Sequence, residues 1–259
     1  MEVQRYENGV PSWVDMGSAD LAGAKEFYRG LFGWNTPDGP PEAGGYTVCD
    51  IGGKTVAGLG PTMDPSAPPH WSTYVNVDSA DDTIARVEAN GGTVYVAPMD
   101  VMEAGRMAVL ADPAGAVIGL WQPNQHVGAQ LVNEPGTYCW SELMTEDLAG
   151  AETFYGAVFG WAAERQGPEG HGGYTEWKVG GRSVGGMLAP PPQMLAGAPP
   201  FWGVYFAVAD ADAVVATAQQ LGASVMVPPT DIEPGRFAVL IDPVGAAFNV
   251  LALKAELQS

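Results

Sequence analysis

Two carboxylates stand out as groups able to do chemistry. Asp15 follows Trp13 by two residues in SWVDMG, and Glu142 follows Trp140 by two in CWSEL. Side chains two apart on a strand share a face, so each carboxylate lies beside an indole. In apolar surroundings such a carboxylate has a raised pKa and serves as general acid or base. Its competing role is structural, bonded to a neighbouring Arg, Tyr or backbone amide. An indole wall with a carboxylate also suits a flat aromatic or cationic small molecule, through stacking and charge. The alternative is an indole that only plugs the space. Arg106 and Arg236 each follow a Gly at the start of a late strand. They pair these carboxylates, hold an anionic ligand group, or end as rim salt bridges. The three histidines, His70, His126 and His171, read as solvated loop residues. No nucleophile elbow, phosphate loop or dinucleotide fingerprint is present.

The elements that position these residues occur twice. Asp20-Leu-Ala-Gly-Ala-Lys-Glu-Phe-Tyr-Arg-Gly-Leu-Phe-Gly-Trp34 returns at Asp147–Trp161 with ten of fifteen positions identical, which chance does not produce. GGYTVCDIGGKTVAG from Gly44, HWSTYVNV from His70 and GRMAVLADPAGAVIGLW from Gly105 also return, in the same order, from Gly172, Phe201 and Gly235. The chain therefore divides into a first module at 1–123, a linker at 124–135 and a second module at 136–259. Within a module, SWVDMG alternates as a strand. Asp20 caps a helix with Leu21, Ala24, Phe27, Tyr28 and Leu31 on its apolar face, and Gly33 ends it. Strands at Tyr46–Asp50 and Thr55–Leu59 join through Gly52-Gly53. WSTYVNVD, a helix at Asp81–Asn90, and strands at Val94–Ala97, Met107–Ala111 and Val117–Trp121 follow, the last two joined at Asp112-Pro-Ala-Gly115. The fold class is α+β, with four βαβββ units.

That order, the D-L-A-G-A…F-Y…F-G-W segment and the late D-P-x-G hairpin resemble the vicinal oxygen chelate superfamily, which includes glyoxalases, bleomycin-resistance proteins and dioxygenases. The likeness runs to a two-module bacterial subgroup, similar to a mycobacterial glyoxalase-like antigen and to helper proteins of anthracycline pathways. It implies that each module is a cupped eight-stranded mixed sheet around a cleft. Metal-dependent members place His, Gln or Glu near the start of the first strand of each unit, and Glu on the strand after D-P-x-G. The matching positions here are Trp13, Ser72 and Gly119 in the first module, and Trp140, Gly203 and Asn249 in the second. None is a credible replacement for imidazole and carboxylate, so no metal and no cofactor is expected. If those positions face the clefts, so do Asp15, Tyr74 and Trp121, and likewise Glu142 and Tyr205. Asp15 and Glu142 are then the candidate catalytic groups. Trp13, Ser72, Tyr74, Trp121, Trp140, Tyr205 and Asn249 are the candidate ligand-binding residues. Gly33-Trp34 and Gly160-Trp161 read as packing at the helix exits.

The first functional expectation is a metal-independent protein binding an aromatic natural product, in secondary metabolism or resistance. The second is a cofactor-free isomerase, lyase or cyclase in which Asp15 or Glu142 moves a proton. A metal-dependent glyoxalase or dioxygenase ranks third. The copies differ (Asp15 against Glu142, Gly119 against Asn249), so one cleft is expected to function and the other to be vestigial. A net charge of −19 argues against nucleic acid and anionic membranes as partners. Two cysteines are too few for a disulfide framework, and the N-terminus carries no secretory pattern. A cytoplasmic bacterial protein, monomer or homodimer, is the expectation.

Overall fold

The computed structural model describes residues 1–62, 67–166, 173–189 and 199–254, so His171 lies outside the described residues. The first copy contains β1 (Pro11–Gly17), α1 (Leu21–Phe32), β2 (Thr47–Ile51), β3 (Lys54–Gly60), β4 (His70–Asn76), α2 (Ala80–Ala89), β5 (Thr93–Val101), β6 (Gly105–Ala111) and β7 (Val117–Pro123). The second contains β8 (Tyr138–Met144), α3 (Leu148–Phe159), β9 (Ala162–Arg165), β10 (Thr175–Val179), β11 (Arg182–Leu188), β12 (Phe201–Ala207), α4 (Ala211–Gln220), β13 (Ser224–Ile232), β14 (Gly235–Ile241) and β15 (Ala247–Leu253). Each copy forms one mixed sheet, ordered β2-β3-β1-β4-β7-β6-β5 and β13-β14-β15-β12-β8-β11-β10-β9.

Eight strands were expected in each sheet, and among the described residues the first has seven. Where the second copy forms β9, the first makes only one bridge, Asn35 to Asp50. Pro37, Pro40 and Pro41 follow at once, and a residue without an N–H cannot extend a ladder.

The first helices begin and end as their sequences predict. Asp20 Oδ1 accepts from the Gly23 N–H at 2.9 Å, and Asp147 Oδ1 from Gly150 at 2.9 Å, satisfying donors that a helix start leaves unpaired. Both helices stop at a left-handed glycine, Gly33 at φ 70° and Gly160 at φ 72°. There the chain delivers Trp34 and Trp161 into the interior, each no more than 4% exposed.

The core spans the boundary between the copies. Phe27 and Phe32 of the first copy pack on Phe248 and Phe206 of the second, with ring centroids 6.0 and 5.2 Å apart. Reciprocally, Phe154, Tyr155 and Phe159 share a core with Ile84, Val87, Leu110 and Leu120. Four hydrogen bonds fix this exchange. Trp71 Nε1 donates to Tyr28 Oη at 2.8 Å, and Tyr28 Oη donates to Asp242 Oδ2 at 2.8 Å. Trp202 Nε1 donates to Tyr155 Oη at 2.9 Å, and Tyr155 Oη to Asp112 Oδ2 at 3.0 Å. The other oxygen of each aspartate collects the three backbone N–H groups of its own D-P-x-G turn. The helix-exit indoles also cross over: Trp34 Nε1 donates to Gly136 O at 2.7 Å and Trp161 Nε1 to Gly9 O at 2.6 Å.

Residues 124–135 run along the first copy. The Ala129 N–H bonds Ser12 O and the Gln130 N–H bonds Thr55 O, both at 2.8 Å. Ala129 and Val132 are buried.

Removing the Tyr28 hydroxyl strands a buried indole N–H and a buried carboxylate oxygen together. Tyr28→Phe is therefore expected to lower unfolding free energy by about 2–3 kcal/mol, read as a shifted urea midpoint. Tyr155→Phe is expected to do the same.

Candidate functional site

The strand register assembles the expected residues on the face of each sheet away from the helices. Trp13 pairs with Tyr74 and Asp15 with Ser72 across β1 and β4, and Tyr74 pairs with Gly119 on β7. In the second copy Trp140 pairs with Tyr205, Glu142 with Gly203, and Tyr205 with Asn249. Trp121 lies two residues beyond Gly119 on β7, and Leu251 holds the matching place on β15.

Each carboxylate accepts a tyrosine hydrogen bond and lies near a second tyrosine, and one tyrosine of each cup is tied to the indole. In the first cup Trp13 Nε1 donates to Tyr46 Oη at 2.9 Å, and Tyr46 Oη donates to Asp15 Oδ2 at 3.1 Å. The Tyr74 phenol also acts on Asp15, lowering its affinity for a proton. In the second cup Trp140 Nε1 donates to Tyr174 Oη at 2.7 Å, and Tyr205 Oη to Glu142 Oε1 at 2.7 Å. The Tyr174 phenol also acts on Glu142, lowering its affinity for a proton. The sequence reading missed Tyr46 and Tyr174. The strand expected from Tyr46 begins one residue later, at Thr47, and β10 begins at Thr175, so both rings lie just outside the ladder, yet the repeat retains Tyr in both GGYT segments while the next residues change from VCD to EWK.

Glycines make room for the tyrosines. A Cβ at Gly58 would overlap the Tyr46 hydroxyl, and one at Gly186 would overlap that of Tyr174. A Cβ at Gly119 would overlap the ring of Tyr74.

Burial pushes the half-buried Asp15 carboxyl up to about 6, against the lowering effects of Tyr46, Tyr74 and the charge of nearby His70. Burial likewise raises Glu142, opposed by Tyr205 and Tyr174. Burial and the adjacent carboxylates hold Tyr46, Tyr74 and Tyr205 well above the ordinary phenol range, so they stay hydrogen-bond donors. Neither arginine reaches these carboxylates. Arg106 bonds Asp81 and Asp100, and Arg236 bonds Asp212 and Asp231, as rim ion pairs.

The histidines divide. His70 is exposed, its Nδ1 2.9 Å from Pro68 O. His126, expected to be solvated, instead enters the first cup. Its ring meets Trp13 edge to face, with centroids 4.4 Å apart, and lies 5.6 Å from Trp121 at an interplanar angle of 70°. Its Nε2 is buried without a hydrogen-bond partner, and burial depresses its pKa to about 4. The correction has a tertiary cause: two indoles that share no periodicity with the linker form a cage for the ring. Trp121 Nε1 further donates to His126 O at 2.7 Å.

The Glyoxalase family, described as the Glyoxalase/Bleomycin resistance protein/Dioxygenase superfamily, matches residues 11–120 and 138–250. "Putative glyoxylase CFP32" of Mycobacterium bovis is 44% identical over 253 residues, 95% of each chain. "Anthracycline biosynthesis protein DnrV" of Streptomyces peucetius is 40% identical over 267 residues, 96% of this chain and 95% of the relative. The fold is shared with the Mn(II)-bound glyoxalase of Novosphingobium aromaticivorans, with a TM-score of 0.65 at 16% identity over 95% of this chain and 83% of that one. It is shared too with the 2,3-dioxygenase LapB of Pseudomonas sp. KL28, with a TM-score of 0.67 at 15% identity over 95% and 93%.

The residues in the two cups do not fit the divalent ion that such folds hold. Each carboxylate already accepts a phenol hydrogen bond, Asp15 from Tyr46 and Glu142 from Tyr205. Asn249 spends its amide on Val204 O at 3.0 Å, and Gly119 and Gly203 offer no donor atom. Among the described residues no three His, Cys, Asp or Glu side chains cluster.

Because Asp15 holds its proton more tightly folded than unfolded, where carboxyls titrate near 4, its contribution to stability is complete below pH ~4 and is lost as pH rises through about 6. Asp15→Asn removes that loss. The variant's melting temperature relative to wild type is expected to climb between pH 4 and 7 and then level. A flat difference across that range would refute the assignment. Gly58→Ala is expected to displace Tyr46, cost about 1–3 kcal/mol and red-shift Trp13 emission.

Proposed function

The chain belongs to the Glyoxalase/Bleomycin resistance protein/Dioxygenase superfamily, and we propose that it binds a flat, neutral or weakly cationic aromatic small molecule without a metal ion. The observation that carries this reading is that each cup holds an indole–phenol and a phenol–carboxylate hydrogen bond, through Tyr46 alone in the first cup and through Tyr174 and Tyr205 in the second, beside the first-strand position where metal-dependent members place a ligand. Indole and phenol faces stack on planar rings, and their polar edges select ligands able to exchange hydrogen bonds. The net charge of −19 disfavours anions. Relatives named for anthracycline biosynthesis, at 39–40% identity, support a fused-ring aromatic as the ligand class and secondary metabolism as the setting.

Calorimetric titration of EDTA-treated protein with an anthracyclinone tests this. Saturable binding unchanged by EDTA, and weakened about tenfold by Trp13→Leu or Trp140→Leu, is the expected result. Binding that appears only after Mn(II) or Fe(II) is added would overturn it.

A second reading rests on Asp15, raised to about 6 and half-buried. A group poised there exchanges protons efficiently near neutrality, which suits a cofactor-free isomerase, lyase or cyclase. Turnover with a pH limb near 6 that vanishes in Asp15→Asn is expected of it. Turnover surviving the Asp15→Asn, Glu142→Gln double variant would eliminate it.

A further inference from the structure

The first cup contains an aromatic ring that belongs to neither the sheet nor the helices. His126 is contributed by the segment after β7, and its backbone is fastened from both directions. Its N–H bonds Ala104 O at 3.0 Å and its carbonyl accepts from Trp121 Nε1 at 2.7 Å. On either side, the Gln125 N–H bonds Glu103 O and the Ala129 N–H bonds Ser12 O. The imidazole itself is held differently. Its Nε2 lies buried with no partner, so shape and edge-to-face contact with Trp13 and Trp121 keep it in place. Leaving a buried polar atom unpaired is unfavourable. A rotation about the His126 side-chain bonds, with the backbone clamps intact, would carry the ring out. Beside it opens a surface hollow of about 490 Å³, lined by Thr55, Met102, Ala104, His126, Val127 and Gln130.

We propose that the gap between Trp13 and Trp121 is a binding slot for a planar, uncharged aromatic ring, that His126 is its resident occupant, and that an incoming ligand ring displaces the imidazole and extends into the hollow. This deepens the reading above by naming the cup and the internal competitor. The second cup lacks the slot, because Leu251 stands where the first has Trp121, leaving one indole wall. The slot accepts rings the size of imidazole or phenol. Ligands that carry a hydroxyl or carbonyl on the ring edge replace the hydrogen-bonding atom that His126 leaves unused.

The test does not require the natural ligand. His126→Gly empties the slot, and free imidazole at pH 8, where it is uncharged, is the probe. A saturable rise in melting temperature is expected, with apparent affinity at least tenfold above that of the wild-type chain. The response should be absent in His126→Phe, whose ring fills the slot, and in the His126→Gly, Trp13→Leu double variant. An equal response in wild type and His126→Gly, or no response in either, would overturn the proposal. If His126→Gly does not fold, wild-type crystals soaked in 4-bromophenol decide the matter. A bromine anomalous peak between Trp13 and Trp121, with the imidazole rotated away, supports the slot. An undisturbed imidazole at saturating phenol removes it. Uptake of imidazole without anthracyclinone binding would leave the slot standing and sink the wider functional reading. The opposite pair of results would do the reverse.

Discussion

A tyrosine hydroxyl in each copy reaches across to the aspartate of the other copy's D-P-x-G turn, and the rest of the architecture is arranged around that pair of bonds. Tyr28 takes the indole proton of Trp71 and gives its own to Asp242, while Tyr155 does the same between Trp202 and Asp112. Every polar atom in these chains is buried, so each bond must be made for the fold to be tolerable. With the first helix of each copy committed to the other copy's core, the two sheets meet back to back. Thr73 and Ser141, 2.6 Å apart, mark the seam between β4 and β8. The opposite face of each sheet is left to its cup.

The cups use the same chemical device. Trp13–Tyr46–Asp15 repeats the order indole, phenol, carboxylate seen at the interface, and the second cup divides it between two phenols, Tyr174 on Trp140 and Tyr205 on Glu142. A phenol between an indole donor and a carboxylate acceptor satisfies both with one atom. It also neutralises the need for a cation beside the acid. The basic side chains nearest in sequence to the rims, Arg106 and Arg236, are occupied by surface aspartates. Carboxylates so placed are desolvated but not paired with positive charge, and their affinity for protons rises accordingly. The two cups differ mainly in what else enters them: a second indole and an imidazole in the first, an asparagine tied to backbone in the second.

Most of the architecture is legible in the chain. Four repeated blocks announce the duplication, the Asp-x-x-Gly starts and glycine ends locate α1 and α3, and strand alternation places Trp13 with Asp15 and Trp140 with Glu142. The missing β9 counterpart is legible in retrospect from Pro37, Pro40 and Pro41. What the sequence withholds follows from physics. A duplicated motif is degenerate: nothing local tells Tyr28 to seek Asp242 instead of its own copy's Asp112. Tyr46, expected as the first strand residue, and Tyr174 fall one residue outside their ladders, where alternation no longer governs which side a ring takes. His126 lies in a polar stretch without periodicity, and its burial depends on two indoles brought together only by the finished sheet. The fate of Arg106 was open among three roles and is settled by the proximity of Asp81 and Asp100.

The proline-rich passage after Trp34 has a consequence beyond shortening a sheet. An outermost strand with free amide and carbonyl groups invites pairing with other chains, and a long, flat, apolar border is the usual seed of accretion. β2 forms that border in the first copy, with Val48 37% exposed upon it. The neighbouring stretch makes one bridge through Asn35 and then meets Pro37, Pro40 and Pro41, which have no N–H to donate. The passage thus acts as a gatekeeper for one end of β2, where its prolines interrupt the run of amides that another strand would need for pairing.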